Sequence, residues 1–426
     1  HLKFYILTFG CRVNQADSLS IGRALVAGGC DPSPLREADV VVVNTCSVTS
    51  AAEQDARQAI RRLARERPAR RIIVTGCYAK RNAGEIAGLP GVHRVVDVED
   101  AIAACCEHHA RDKDLNAGLL ERRPPDRAAV ATLRPGFLGR TVAALSVQTG
   151  CDAACSFCVV PQVRGPSRSA SASTVLAGLR FLEESGYNEA ILSGVHLGSW
   201  GRDIGPRQSL AGLLAAVSAR AGRLRIRLSS IEPMDVTPEV VELVSGSPVF
   251  LPHLHLPVQH ASDRVLRLMR RPYAFETARR LFERLRERMP QAALGTDLLV
   301  GFPGEEESDF RALETWLRES PLSYAHVFPF SPRPGTRAAS MKPRVPGREV
   351  RERLAAIRAG AVTLHRRFCE SQVGRTLEAL TIGDGTVALT GNYLKIRIPA
   401  GRPRNERLLV RVGSSDPLRG DVVDRP

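Results

Sequence analysis

No stretch of the 426 residues runs apolar for the roughly 20 residues that a bilayer-spanning helix needs, which excludes a helical membrane protein. The opening His1-Leu2-Lys3-Phe4 reads as the start of a strand and lacks the charged-then-apolar profile of a signal peptide. Low-complexity tracts and short repeats are absent as well. Acidic residues are scarce: 45 Asp and Glu stand against 60 Lys and Arg, a net charge of +15. That balance favours a polyanionic partner, nucleic acid first. A genome biased towards Arg would explain which basic residue is used, but not the excess over acids. On this reading the chain is expected in the cytoplasm, without a membrane partner. Its ten cysteines are then no disulfide framework, because cytosolic thiols stay reduced. Spaced cysteines read instead as metal ligands or nucleophiles. An apolar fraction of 43% is that of a soluble globular protein, and the length calls for two or three domains.

The first third alternates strand and helix. Strands are expected at Lys3–Gly10, Asp39–Asn44 and Arg71–Gly76, with helices near Ala16–Ala27 and Ser50–Arg65 between them. Val40-Val41-Val42-Val43 is a run buried on both faces, typical of a parallel sheet. The pattern predicts an α/β fold with an open doubly wound sheet. From about Glu107 to Gly139 the periodicity fails and Arg122-Arg123-Pro124-Pro125 appears, so a linker is expected there. Six strands follow, at Thr141–Gln148, Glu189–Gly194, Arg223–Ser230, His253–Gln259, Ala292–Val300 and Tyr324–Phe330, separated by helices. Six βα units fall short of a full eightfold barrel; a partial barrel is the first choice and a larger open sheet the second. After a helix near Arg348–Glu370, Gly374–Val423 is short-stranded, β-branched and Gly-punctuated. It reads as a small all-β barrel, suited to oligonucleotides or to dimerisation and capping.

Two cysteine sets stand out. Cys11, Cys46 and Cys77 each follow the carboxyl end of a predicted parallel strand, where such sheets gather ligands. Strands adjacent in space bring distant thiols to one edge. Three thiolates select zinc or an iron–sulfur cluster and leave one metal position open, the mark of a working site. The bland alternative is three buried cysteines at unrelated strand ends. Cys30, Cys105, Cys106 and Cys369 are expected to be small apolar fillers. Cys151, Cys155 and Cys158 form a C-x-x-x-C-x-x-C loop just after the first strand of the partial barrel, at the catalytic face of such folds. Three thiolates on one loop can hold three irons of a four-iron cubane, leaving the fourth for a chelating substrate, as in radical-SAM enzymes. A zinc loop completed by a distant ligand is the alternative, though zinc loops favour C-x-x-C pairs. Ser193-Gly194-Val195-His196-Leu197-Gly198 and Gly295–Gly304 end strands with small residues, suiting backbone contact to a cofactor, or simply ordinary turns. Arg227, Ser229, Glu232 and Gln259 lie at or near strand ends, where they suit ribose or carboxylate, or ordinary surface salt bridges.

These motifs together resemble the radical-SAM methylthiotransferase family. The likeness rests on Thr8–Ser18, Asn44–Thr49 and Thr75–Ala79 in the first third. It continues through Cys151–Cys158 with Pro161 and Arg164-Gly165, Gly194–Gly198, His253–Gln259, Asp297–Glu305 and His326–Thr336. Cys11-x-Val13-Asn14-Gln15 is similar to the branch that modifies N6-threonylcarbamoyladenosine in tRNA; the isopentenyladenosine branch tends to carry Met in place of Val13, and a third branch acts on a ribosomal protein. Gln162, Lys80, Pro166, Ala170 and Gln259-His260-Ala261-Ser262 depart from the usual pattern without removing a cysteine.

The resemblance implies an N-terminal methylthiotransferase domain over 1–120, a linker over 121–139, a radical-SAM partial (β/α)6 barrel over 140–371 and an RNA-binding TRAM barrel over 372–426. It implies two [4Fe-4S] clusters, one on Cys11, Cys46 and Cys77 and one on Cys151, Cys155 and Cys158. It also implies S-adenosylmethionine (SAM) contacts drawn from Phe157, Ser193, Gly194, Val195, Arg227, Ser229, Glu232, Gln259, Asp297, Val300 and Gly301. The implied partners are a tRNA anticodon stem-loop and a flavodoxin- or ferredoxin-type electron donor. A non-enzymatic iron–sulfur RNA-binding regulator is the reading from another class.

Overall fold

The computed structural model describes residues 2–106 and 133–424, and it divides into two compact units. Most of the expected linker, from Glu107 to Thr132, lies outside the described residues, as does the side chain of Cys106.

The first unit is built on a five-stranded parallel sheet in the order β2-β1-β3-β4-β5, with β1 at Lys3–Thr8, β2 at Asp31–Pro32, β3 at Val40–Thr45, β4 at Arg71–Gly76 and β5 at Val92–Val95. Every residue of β3 is buried, as the valine run required. Its two faces feed two cores: Val40 and Val42 pack with Phe4, Ile6, Ile21 and Leu25, while Val41 and Val43 pack with Ala56, Ile60 and Leu63. The second set comes from the helix Ser50–Glu66, whose apolar positions recur at helical spacing. Thr49 caps that helix by accepting from the Ala52 amide at 3.2 Å. The edge strands β2 and β5 went unforeseen because they are too short to show periodicity. The same unit holds β6 (Ala143–Thr149), paired antiparallel with β7 (Arg168–Ser169), and the helix Ala172–Glu184, capped by Ser171.

The second unit takes Glu189–Leu192 of β8 (Glu189–Gly194), which pair with β9 (Arg225–Leu228), and β10 (His253–His255), β11 (Ala293–Val300) and β12 (Tyr324–Pro329) form a parallel sheet. Along the chain β6 and β8–β12 are each followed by a helix, the six βα units expected of a partial barrel. One strand is shorter than its apolar run predicts. His253–Gln259 pairs as a strand only as far as His255, because Pro257 has no amide to give and Gln259 turns to φ +75°.

The tail strands β13 (Thr376–Ile382), β14 (Val387–Thr390), β15 (Lys395–Arg397), β16 (Arg407–Ser415) and β17 (Leu418–Val423) close into a barrel in the order β13-β14-β15-β17-β16. Its core shares one cluster with Ala293, Phe368 and Cys369, so the tail barrel is packed into the second unit rather than hung from it. Cys30, Cys105 and Cys369 are buried fillers, as expected.

Candidate active site

The first thiol set is assembled by sheet register. Thr8 lies opposite Asn44 and Thr45 opposite Gly76, so β1, β3 and β4 release their chains at one edge, β3 and β4 directly into Cys46 and Cys77 and β1 through Phe9-Gly10 into Cys11. Gly10, at φ +95°, brings its backbone against Cys46; a Cβ there would lie 2.5 Å from the Cys46 Cβ and 2.7 Å from its sulfur. Asn14 ties the edge together by donating to the Phe9 and Thr45 carbonyls, both at 2.9 Å. Its Oδ1 stands 3.9 Å from the Cys11 sulfur. Burial pushes the Cys46 thiol up to about 11 and raises Cys77 as well, in each case with neighbouring thiols adding to the effect. Metal ligation requires thiolates, so these two cysteines stay protonated until a cation offsets the burial.

Arg164 opposes that rise only in part. Arg164 donates from Nε to the Cys77 sulfur at 3.1 Å, and from Nη2 to Asn14 Oδ1 and Asp17 Oδ2, both at 2.7 Å. Burial alone would lower the Arg164 pKa, but Asp17, Cys77 and Cys11 raise it, so the guanidinium remains charged. A cavity of about 410 Å³ opens beside Cys77 and Arg164. Asn44 Oδ1 and Thr75 Oγ1, at the ends of β3 and β4, are buried without a hydrogen-bond partner. Among the described residues no three or more His, Cys, Asp or Glu side chains surround a single ion position. A lone zinc would draw its sulfurs to about 2.3 Å from itself, whereas a polynuclear cluster spans a wider triangle. Three thiols that share an electrostatic environment, a glycine cradle and unsatisfied polar atoms fit a thiolate-held metal group.

The second thiol set lies on one short loop. Its entry is fixed within the first unit. Gln148 donates to the Gly150 carbonyl at 2.8 Å and the Ser167 hydroxyl at 3.0 Å, and the Cys151 amide reaches the Gly165 carbonyl at 3.1 Å. Gly150, at φ +71°, has no room for a Cβ, which would strike the Pro166 carbonyl. The rest of the loop is fixed within the second unit. Ser156 donates its amide to Met269 O at 3.0 Å and its hydroxyl to Leu268 O at 2.8 Å. Phe157 packs edge-on against Phe302. Arg271 points Nη1 at the Cys155 sulfur, 3.5 Å away, while also pairing with Glu232 and donating to Pro257 O at 2.8 Å. Burial would depress Arg271; Glu232, Tyr273 and Cys155 hold it protonated.

The other residues singled out from sequence divide. Glu232 joins Cys155 through Arg271. Ser193 is fully buried and its hydroxyl has no partner. Gly194 and Val195 continue from it at the end of β8. Beyond them His196 Nε2 meets Asp235 Oδ2 at 2.7 Å; His196 and Arg202 outweigh burial and hold that carboxyl below its ordinary range. Gln259 is pinned in its left-handed turn by Asp297 O and the Leu299 amide, at 2.9 and 2.8 Å. The Asp297 carboxylate lies 3.3 Å from His255. Val300 is buried, and Gly301, at φ +76°, gives its amide to the buried Glu305 at 2.8 Å. Ser229 is half-buried and its amide serves Leu192 O at 2.9 Å.

Arg227 is placed differently from the expectation. Only 1% exposed, it pairs with Glu189 at 2.9 Å and donates to Gly391 and Thr390 carbonyls of the tail barrel at 2.9 and 3.2 Å. One bond from each of its three nitrogens thus joins the tail to β8 and β9. Sequence reasoning missed Arg271 and Asp235. In a chain with 60 basic residues nothing local distinguishes Arg271 from a surface Arg.

Residues 3–97 match the model described as "Uncharacterized protein family UPF0004", and residues 145–317 match the Radical SAM superfamily. The chain is 33% identical over 436 residues to the threonylcarbamoyladenosine tRNA methylthiotransferase MtaB of Bacillus subtilis, covering 95% of this chain and 96% of that one. It is 36% identical over 390 residues to the tRNA-2-methylthio-N(6)-dimethylallyladenosine synthase of Nitratidesulfovibrio vulgaris, covering 89% and 86%. Among solved structures, the radical SAM methyltransferase TsrM of Kitasatospora setae aligns with a TM-score of 0.55 at 14% identity, over 79% of this chain and 74% of that one, a likeness of fold. Near full-length identity to such relatives, with both domain models in order, makes this chain an enzyme of the radical-SAM methylthiotransferase family, whose chemistry uses two [4Fe-4S] clusters and SAM.

Proposed function

We propose that the enzyme adds a methylthio group at C2 of N6-threonylcarbamoyladenosine at position 37 of tRNA, next to the anticodon. The observation that carries this reading is the Cys11-Arg12-Val13-Asn14-Gln15 turn at the sheet edge, with Val13 as in the threonylcarbamoyladenosine branch. Relatives from Bacillus subtilis and Aquifex aeolicus named for that substrate support it, each 33% identical. The 36% identity to a dimethylallyladenosine synthase makes isopentenyladenosine the second candidate.

Cys151, Cys155 and Cys158 would hold the SAM-binding cluster, and Cys11, Cys46 and Cys77 the other. Bound there, these groups supply a carbon radical from one SAM, and a sulfur that a second SAM methylates. A C2–H bond has no useful acidity, so no side-chain base of this protein can open it. The protein's own contribution is placement. Arg164 and Arg271 present fixed positive charge to one ligand of each set. Ser193 offers an unsatisfied hydroxyl to the amino and carboxylate groups of SAM, while Asp297, Val300 and Gly301 frame its nucleoside. An anticodon stem-loop meets the basic surface, and a flavodoxin- or ferredoxin-type protein delivers the electron. No helix among the described residues is long and apolar enough to cross a membrane, in keeping with work in the cytoplasm.

The test is nucleoside analysis of tRNA from cells with and without the gene. Loss of 2-methylthio-N6-threonylcarbamoyladenosine alone is expected. Loss of the isopentenyl derivative instead would overturn the branch, and unchanged tRNA with an altered ribosomal protein would overturn the RNA substrate.

A further inference from the structure

The second unit carries a cleft beyond the cysteine sets, whose aromatic wall continues from the sheet face that carries Asp297, the cross-strand partner of His326. One wall is β12, the last strand of the sheet β10-β11-β12. Alternate residues of a strand share a face, and here they are Tyr324, His326 and Phe328. Their ring centroids step along the strand at 5.3 and 6.5 Å, and Tyr393 from the tail barrel extends the row, 6.4 Å from Tyr324. Phe328 is 40% exposed, a large ring left facing solvent.

The opposite wall is the helix Gly347–Glu370. Arg358, Val362, His365 and Arg366 lie four, seven and eight residues apart, so they form one stripe. All four are exposed, Val362 by 60%. Lys395 of the tail barrel closes the third side, exposed on a strand whose pattern points it outward. The volume enclosed is about 870 Å³, within the range of ligand pockets, about 300–1,000 Å³. Arg358, Arg366 and Lys395 line it against a single carboxylate, Asp416.

A row of aromatic faces flanked by cations matches one chemistry closely. Unpaired RNA presents flat bases that stack on aromatic side chains, joined by phosphates that cations neutralise. Three cations around exposed rings favour a phosphodiester chain over a neutral peptide. We infer that this cleft binds an unpaired segment of the RNA substrate, with a base stacked on the exposed ring of Phe328 and its flanking phosphates on Arg358, Arg366 and Lys395. This inference rests on the reading that the substrate is tRNA and adds where a loop nucleotide away from the reacting base is held.

The experiment measures affinity of the full-length protein for a tRNA anticodon stem-loop at several salt concentrations. Phe328→Ala should weaken binding about 5- to 100-fold, as the loss of one stacked base does, with the salt slope kept; Phe328→Trp should restore affinity. Arg358→Gln with Arg366→Gln should flatten the salt dependence by about one to two units of slope. These side chains are exposed, so thermal unfolding of the variants should match wild type. Unchanged RNA affinity and slope in both variants, with wild type binding normally, would leave the cleft to a protein partner and overturn the inference alone. Failure of wild type to bind the stem-loop would overturn it together with the tRNA reading.

Discussion

Arg164 gives its Nε–H to the Cys77 sulfur at 3.1 Å while the same guanidinium holds Asn14 and Asp17. The residue that follows the C-x-x-x-C-x-x-C loop in sequence thus serves the other thiol set in space. Residues that orient metal ligands cost about 10- to 100-fold in metal affinity or activity when lost. Arg164→Gln is therefore expected to weaken cluster retention at the first set by that factor and to change its electron paramagnetic resonance signature. Lys cannot reproduce the fork that meets sulfur, amide and carboxylate at once, so Arg164→Lys should not rescue either. Wild-type spectra in both variants would reduce this contact to packing.

Two separate thiol sets predict two clusters. Anaerobic reconstitution should give about eight irons per chain, the content of two four-iron cubanes. Replacing Cys151, Cys155 and Cys158 with Ala should leave about half of that iron. Bound zinc without sulfide would exclude the arrangement.

The two sets should fail differently. Cys155→Ala is expected to abolish cleavage of SAM to 5′-deoxyadenosine. Cys46→Ala should leave uncoupled cleavage running and stop methylthio product. Equal loss of cleavage in two folded variants would refute the division of labour.

Glu305 supplies a pH-dependent part of the stability. Its carboxylate is fully buried, accepts from the Gly301 amide and Arg353 at 2.8 Å each, and lies 3.6 Å from His260; Arg353 also pairs with Glu307 and Glu349, both at 3.3 Å. Burial raises the Glu305 pKa, but His260, Arg353 and the Gly301 amide outweigh it and hold the group below its ordinary value. A depressed carboxylate stabilises the fold at pH above its unfolded pKa, about 4.3, and loses that contribution as pH falls through the folded value. Glu305→Gln should cost about 1–3 kcal/mol at pH 7, because the charged hydrogen bond to the buried Arg353 is lost while Glu307 and Glu349 still face that guanidinium. Denaturant titrations of wild type and variant should converge as pH drops below about 4. A constant difference across that range would contradict the assignment.

The tail barrel should carry phosphate contacts of its own. Lys395 and Arg397 flank the buried Ile396 and share an outward face. Removing the whole tail would also strip Arg227 of the Thr390 and Gly391 carbonyls, so point substitutions are the cleaner test. Arg397→Gln and Arg411→Gln should each lower the salt slope of stem-loop binding by about one, with iron content unchanged. A slope equal to wild type in both would move RNA binding away from this face.

Local chemistry wrote much of this protein into its sequence. The valine run of β3 fixed a strand buried on both faces, because only a covered parallel sheet accommodates it. The cysteine loop after β6 is legible because its three thiols lie within eight residues, where chain connectivity alone keeps them together. Cys11, Cys46 and Cys77 were placed at strand ends by pattern, and sheet register then brought those ends to one edge. What the sequence could not reveal are relations that depend on packing between distant elements. Arg271 beside Cys155, Asp235 against His196, and Arg227 tied to the tail barrel are set by long-range folding. A guanidinium reaches across several residues and meets whatever the fold brings within range, so periodicity and motif carry no mark of its partner.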